Sequence, residues 1–166
     1  MKLFLLRHAN ARDTFPDHER ELSDIGWKQL EAVSKVIDST HFCNVAQIWH
    51  SPYLRAVQTA TAFKENLNID APLMEISTIT PEDNPYEVAR MASALSCFGK
   101  DLMIVSHNPL LENLTDILLD STSRGGRVIF DTCTLACLTL ETCPETENDY
   151  GVWSLGSLIS PRMIRA

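Results

Sequence analysis

Three short apolar runs constrain this chain most, because each ends in side chains able to do chemistry. Leu3-Phe4-Leu5-Leu6 runs straight into Arg7 and His8, Val45-Ala46-Gln47-Ile48-Trp49 leads through Ser51-Pro52 to Arg55, and Leu102-Met103-Ile104-Val105 is followed by Ser106 and His107. Continuous apolar runs of this length fit strands buried on both faces of a parallel sheet. In open α/β sheets ligands sit just beyond the carboxyl ends of such strands, so Arg7, His8, Arg55 and His107 are the candidates for function. His50 also falls at a strand end but has no ligand-like neighbours in sequence, and it reads as a loop residue.

Helical stripes alternate with these runs. Ser23 reads as the N-cap of a first helix, with Leu22 and Trp27 at the two positions of a hydrophobic staple and Leu30, Val33, Val36 and Ile37 as its buried face. This register leaves Arg20 in the preceding loop, free to reach over the strand ends. Ser51-Pro52 predicts a second helix with proline at its first position, which puts Arg55 in the first turn, where free N–H groups and the helix dipole favour phosphate. Leu54, Val57 and Phe63 form its stripe. Asn84-Pro85 repeats the cap-proline pattern, with Glu87 placed for a capping box, Val88, Met91, Ala92 and Leu95 as the buried face, and Gly99 as the stop. Asn108-Pro109 starts a fourth helix carrying Leu111, Leu114, Ile117 and Leu118.

Between these elements, residues 73–76 read as a short strand and residues 80–83 as a loop. In the tail, Gly125-Gly126 reads as a loop, residues 128–130 and 133–142 are rich in β-formers, the acidic stretch 141–150 is a turn, and residues 151–155 pair back as an antiparallel hairpin. The predicted fold is therefore one α/β domain spanning residues 1–166, with three layers: a mainly parallel central sheet, helices on both faces and a C-terminal antiparallel hairpin.

A chain of 166 residues is long enough for one sizeable core and short for two. Its formal net charge of −8 argues against a nucleic-acid partner, so an anionic substrate must be drawn by a local island of arginines. The first apolar run is too short for a signal peptide and no later run has the length of a membrane span, which predicts a soluble, cytoplasmic protein without membrane partners. Cys43, Cys97, Cys133, Cys137 and Cys143 suit reduced thiols. Zinc on the last three is the alternative, but they lack a CxxC pair or a histidine companion, and small buried hydrophobes is the preferred reading. Cys133 and Cys137 are expected on one face of a strand.

Arginine forks match phosphate oxygens. Two arginines and two histidines converging on one pocket thus point to phosphoryl chemistry. The same fixed cations argue against a metal among the histidines, as does the lack of an accompanying carboxylate or thiolate ligand.

At this point the residues resemble a known family. Leu6-Arg7-His8-Ala9, Ser51-Pro52-Tyr53-Leu54-Arg55-Ala56 with Gln58-Thr59-Ala60, and Ser106-His107-Asn108-Pro109 resemble the signature segments of the histidine phosphatase superfamily, whose fold is that of phosphoglycerate mutase. The stretch from Glu19-Arg20-Glu21-Leu22-Ser23-Asp24-Ile25-Gly26 is similar to the SixA-like phosphohistidine phosphatase branch. Ala9 stands where glycine is common in the family. The resemblance implies that His8 is the nucleophile, that Arg7, Arg55 and His107 form the phosphate pocket, that Arg20 is a further phosphate or substrate contact, and that no metal or other cofactor is required. A histidine attacks phosphorus only with one ring nitrogen unprotonated, and neighbouring arginines are expected to hold the pKa of His8 down.

The leaving group separates the possible substrates. Larger branches of the superfamily use an acid to protonate a departing alcohol, and here the candidates are Glu75, Glu82 and Asp83. Imidazole leaves far more readily than an alkoxide, which favours a phosphohistidine on a phosphorylated protein, such as a histidine-phosphorylated signalling domain. A small-molecule phosphomonoesterase or phosphosugar enzyme, and a non-catalytic phosphoprotein-binding module, are the alternatives.

Overall fold

The computed structural model describes residues 1–96, 99–120, 128–146 and 149–164. Cys97 and the Gly125-Gly126 loop therefore lie outside the described residues. Six strands form one sheet: β1 (Lys2–Arg7), β2 (Val45–His50), β3 (Leu73–Glu75), β4 (Asp101–Ser106), β5 (Leu135–Thr142) and β6 (Val152–Ile159). Their order is β3-β2-β4-β1-β5-β6. The first four run parallel, while β5 is antiparallel to both β1 and β6. The expected mixture of a parallel sheet and an antiparallel hairpin is thus present, with the hairpin reaching Ile159 rather than residue 155.

Four helices cover the sheet: α1 (Asp24–Val36), α2 (Leu54–Asn66), α3 (Pro85–Ser96) and α4 (Leu110–Leu118). Alternation along β1 sends Phe4 and Leu6 to one face, where they join Leu30 and Val33 of α1 and Ala60 and Phe63 of α2. Leu3 and Leu5 point the other way and pack with Val88, Ala89 and Ala92 of α3 and Leu111, Leu114 and Leu118 of α4. Burial on both faces is why β1, β2 and β4 carry near-continuous apolar runs. Among the described residues, no helix is long and apolar enough to cross a membrane.

Helix starts follow local chemistry with instructive exceptions. Ser23 caps α1 as expected, its hydroxyl accepting the Gly26 N–H at 3.1 Å. Leu22 is buried in the core, but its staple partner Trp27 stays 45% exposed and Val36 55% exposed, so that half of the staple and the outer part of the predicted stripe do not join the core. Asn84 accepts the Tyr86 N–H at the start of α3. In contrast, α2 begins at Leu54 with Tyr53 as its N-cap residue, and α4 begins at Leu110 with Pro109 as its N-cap residue, so neither proline is the first residue of its helix.

The segment 128–130 is not a strand. Its backbone is engaged elsewhere: Glu112 accepts the Phe130 N–H, while Asn108 and Arg7 both donate to the Phe130 carbonyl. Cys133 lies ahead of β5 with φ 61°, so strand alternation does not govern it, yet it is buried in the core as a small hydrophobe. Cys137 is half-buried and Cys143 exposed.

Candidate active site

The carboxyl ends of β1, β2 and β4 meet where the sequence predicts. β1 is clamped beyond its last residue from both sides: the His8 N–H donates to Ser106 at 2.9 Å, and the Cys133 N–H donates to the carbonyls of Arg7 and His8 at 3.2 and 3.0 Å. Next, the Ala9 N–H donates to Thr59 Oγ1 at 3.1 Å, and that hydroxyl donates to the Arg55 carbonyl at 2.6 Å. Thr59, on the second turn of α2, thereby fastens the loop after β1 to the helix that carries Arg55. Ala9 is buried and has no positive φ, so a side chain is accommodated where glycine is common.

The His8 ring is oriented from both nitrogens. Its Nδ1 lies 2.7 Å from the Ala9 carbonyl, and Arg55 Nε lies 3.3 Å from its Nε2. A carbonyl only accepts and a guanidinium only donates. The proton therefore sits on Nδ1, and the Nε2 lone pair accepts the long Arg55 Nε–H contact, which an incoming phosphoryl group has to displace. Burial pushes the His8 pKa down to about 3, with Arg55, Arg7 and Arg20 adding to the fall against the Ala9 carbonyl. The arginines thus assist, as the sequence suggests, but desolvation is the larger cause.

His107 is 1% exposed, and its ring centroid lies 4.9 Å from that of His8. Burial, then the proximity of His8 and Arg55, lowers its pKa to about 2. Its Nε2 is 2.8 Å from Ser51 Oγ, whereas its buried Nδ1 has no hydrogen-bond partner. The Ser51 hydroxyl, expected to cap α2, contacts this histidine and also accepts the Tyr53 N–H at 3.4 Å, while Tyr53 is the N-cap residue of α2. Arg7 donates through Nη1 to the Phe130 carbonyl at 2.6 Å, and its buried Nε is unpartnered. Burial lowers the Arg7 pKa while Glu112 and Asp131 oppose that fall.

Arg55 is 5% exposed and is held by a residue that sequence reasoning misses. Its Nη1 donates to the Asp17 carbonyl at 2.6 Å and its Nη2 to Asp17 Oδ2 at 3.0 Å, while its Cζ sits 4.9 Å from the Tyr53 ring centroid. Tyr53 also lines the site, its ring 5.0 Å from that of His107. Arg20 reaches the group at second hand: it donates to Asp17 Oδ1 at 3.0 Å and to the Arg12 carbonyl at 2.7 Å. Burial works to raise the Asp17 pKa, but hydrogen bonds from Arg20 and Arg55 outweigh it and hold the carboxyl below its usual range. Nothing in the acidic loop, which also holds Asp13 and Glu19, distinguishes Asp17 in sequence.

The three acid candidates differ in placement. Glu75 is exposed at the end of β3, and Glu82 is exposed in the following loop. Asp83 accepts the Thr80 N–H and hydroxyl, both at 2.6 Å. Burial, followed by Glu82, Asp17 and Asp83, raises the Tyr53 pKa, so Glu82 and Asp83 act electrostatically on the mouth of the site. His50 ends β2 and is buried, its Nδ1 3.1 Å from the Ser51 carbonyl. Among the described residues no three His, Cys, Asp or Glu side chains gather as a metal ion would need.

The arrangement is a cluster of two guanidiniums and two neutral imidazoles, one of them with its Nε2 unprotonated, a combination suited to binding a phosphoryl group and attacking it. The family model for the histidine phosphatase superfamily (branch 1) matches residues 3–95, more than half of the chain. The chain belongs to the histidine phosphatase superfamily.

No curated protein sequence matches it. Among solved structures, the protein histidine phosphatase SixA complexed with tungstate is similar with a TM-score of 0.81 and 23% identity, over 98% of this chain and 99% of that one. A structure assigned as phosphohistidine phosphatase SixA from Agrobacterium tumefaciens gives 0.74 and 21%, over 96% and 97% of the two chains. A phosphoserine phosphatase from Entamoeba histolytica in complex with 3-phosphoglyceric acid gives 0.67 and 17%, over 96% of each. The superfamily fold is common to all three, across enzymes named for different substrates.

Proposed function

We propose that this chain is a protein phosphohistidine phosphatase of SixA type working through a phosphohistidine enzyme intermediate. The observation that carries this reading is the state of His8: a buried neutral ring with Nδ1–H directed to the Ala9 carbonyl and Nε2 unprotonated beside Arg55. In the first step Nε2 attacks phosphorus in line, and the bond to the leaving imidazole, protonated on its other ring nitrogen, breaks with its electron pair going to the released nitrogen, so that a neutral ring departs. In the second step water attacks the phosphoryl group, the P–N bond breaks with its pair returning to Nε2, and both water protons leave on the product as dihydrogen phosphate. Arg7 and Arg55 stabilise the equatorial oxygens as charge shifts, a contribution worth roughly 10³-fold or more for a well-placed arginine. His107, with its unpartnered Nδ1, is the further contact to a non-bridging oxygen, and Arg20 is an outer substrate contact.

The substrate class follows from the acid that is to hand. The carboxyl group hydrogen-bonded into this pocket, Asp17, is kept ionised by two arginines, and an ionised carboxylate cannot protonate a departing alkoxide. A phosphoramidate such as phosphohistidine needs that help least. A second reading, an alkyl phosphomonoesterase, is favoured by one observation, the influence of Glu82 and Asp83 on Tyr53 at the mouth.

A panel of phosphohistidine, phospholysine and alkyl phosphates, assayed with a chelator present, separates the two. The first reading expects phosphohistidine to be the best substrate and Glu82→Gln to leave its turnover intact. Preference for alkyl phosphates with loss of that activity in Glu82→Gln would favour the second. Trapping an acid-labile phosphoenzyme on His8 distinguishes either from a binding module, and full turnover by His8→Ala would end the nucleophile assignment.

A further inference from the structure

Among the described residues, Asp17 is the one carboxylate that bridges two of the arginines around the candidate site: Oδ2 and the main-chain carbonyl take both terminal nitrogens of Arg55, and Oδ1 takes Arg20. We propose that Asp17 is a positioning residue for phosphoryl transfer, holding Arg55 by the outer edge of its guanidinium so that the Nε edge stays beside His8 Nε2, where it meets a phosphoryl oxygen once the Nε2 lone pair turns to phosphorus, and tying Arg20 to the same point. The inference rests on reading His8 as the nucleophile.

The argument is geometric. A guanidinium offers paired N–H groups along two kinds of edge, the end formed by its two terminal nitrogens and the side formed by Nε with one of them. Asp17 occupies the end, while Nε lies 3.3 Å from His8 Nε2. The restraint and the nucleophile therefore use different edges of one planar group. With the end held at two points and Tyr53 against its face at 4.9 Å, the plane has little freedom to turn. Were Asp17 simply filling the anion site, its carboxylate would be expected on the side edge at His8, where a phosphoryl oxygen has to lie.

A negative charge beside a phosphate pocket weakens anion binding, so its benefit must appear in orientation. This predicts an asymmetric kinetic signature. Asp17→Ala should lower kcat by about 10- to 100-fold, the scale expected for a misplaced catalytic group, with KM unchanged or reduced because a repelling charge has gone. Asp17→Asn, whose amide oxygen still accepts from one arginine, should fall between Asp17→Ala and the parent. Because Asp17 acts through Arg55, the Arg55→Ala/Asp17→Ala double variant should be no slower than Arg55→Ala alone. The Asp17 side chain is 55% exposed at the start of the short 3-10 helix Asp17–Glu19, so folding should be retained, checked by thermal melts.

An unchanged kcat in Asp17→Ala, a loss fully additive with that of Arg55→Ala, or faster turnover with tighter inhibition by inorganic phosphate would overturn the proposal. The last result would make Asp17 a competing anion. Failure of the underlying reading is separately visible as turnover by His8→Ala.

Discussion

An imidazolium surrendered to a buried site loses hydration that two nearby guanidiniums make still harder to replace, and this is why His8 and His107 stay neutral at pH values where an exposed histidine is half charged. Nitrogen NMR of the side chains should therefore show His8 as the Nδ1–H tautomer, with Nε2 unprotonated, at pH 5 as well as at pH 8. The same depression links pH to stability. Both folded-state values lie below the ordinary 6.5, so the unfolded chain binds more protons over that interval. The stability from keeping these rings neutral is fully present above about pH 6.5 and is lost as the pH falls toward about 3 for His8 and about 2 for His107. Each ring costs up to ~1.4 kcal/mol per pH unit in that window. Urea midpoints at pH 7.5 and 5.0 should accordingly differ less in His107→Gln than in the parent.

At Arg55, replacement by alanine should reduce kcat/KM by roughly 10²- to 10³-fold. Arg55→Lys should recover little, since a single ammonium nitrogen lacks the planar, separated edges by which Arg55 meets His8 on one side and Asp17 on the other. Sequence reading reaches Arg7, His8, Arg55 and His107 because each follows an apolar run. It misses Asp17, which looks like any solvated loop acid, and it misreads Ser51, because a serine before proline has the same local signature whether its hydroxyl caps a helix or contacts a histidine far along the chain.

Elements begin where their ends can be satisfied, and α1 shows how closely this ties into the site. Ser23 Oγ accepts from Gly26 and donates to Asn10 Oδ1 at 2.6 Å, while the Ser23 N–H donates to the Asn10 carbonyl, so the cap also binds the loop that follows His8 and Ala9. Ser23→Ala should cost about 1 kcal/mol in denaturant melts. Gly26 makes a sharper case. Alanine is the better helix former by roughly 1 kcal/mol, yet a Cβ at Gly26 would fall 2.1 Å from the Asn10 backbone oxygen. Gly26→Ala should destabilise, opposite in sign to its helix propensity, and should lower turnover as the loop after His8 is pushed aside. The strands and the α1 start were legible because burial on both faces and a free serine cap leave local patterns. The beginnings of α2 and α4 and the irregular path of residues 128–134 were not. Partners distant in sequence engage these stretches: His107 at Ser51, Arg7, Asn108 and Glu112 at Phe130, and the carbonyls of Arg7 and His8 at Cys133.

Across the whole molecule, the candidate site is a junction of β1, β2, β4, α2 and the approach to β5, so an anion seated there should brace both core layers at once. Inorganic phosphate at 100 times its Kd should add ~2.7 kcal/mol to the unfolding free energy. That appears as a rise of several degrees in Tm for the parent and a much smaller one for Arg55→Ala. The acidic background of the chain sharpens the contrast: its net charge is −8, yet three arginines act together on His8, so anion affinity is a local property that global charge does not report.

His8 hangs from the innermost part of the sheet, β1, which is flanked on one side by β4 and on the other by β5. The walls around it come from the stretches near residues 10–20, 51–55 and 128–132. An engineer wishing to redirect this protein toward a new phosphorylated molecule would do best to lengthen these walls between their working residues, leaving His8, Arg55 and Asp17 as fixed equipment beneath interchangeable fittings.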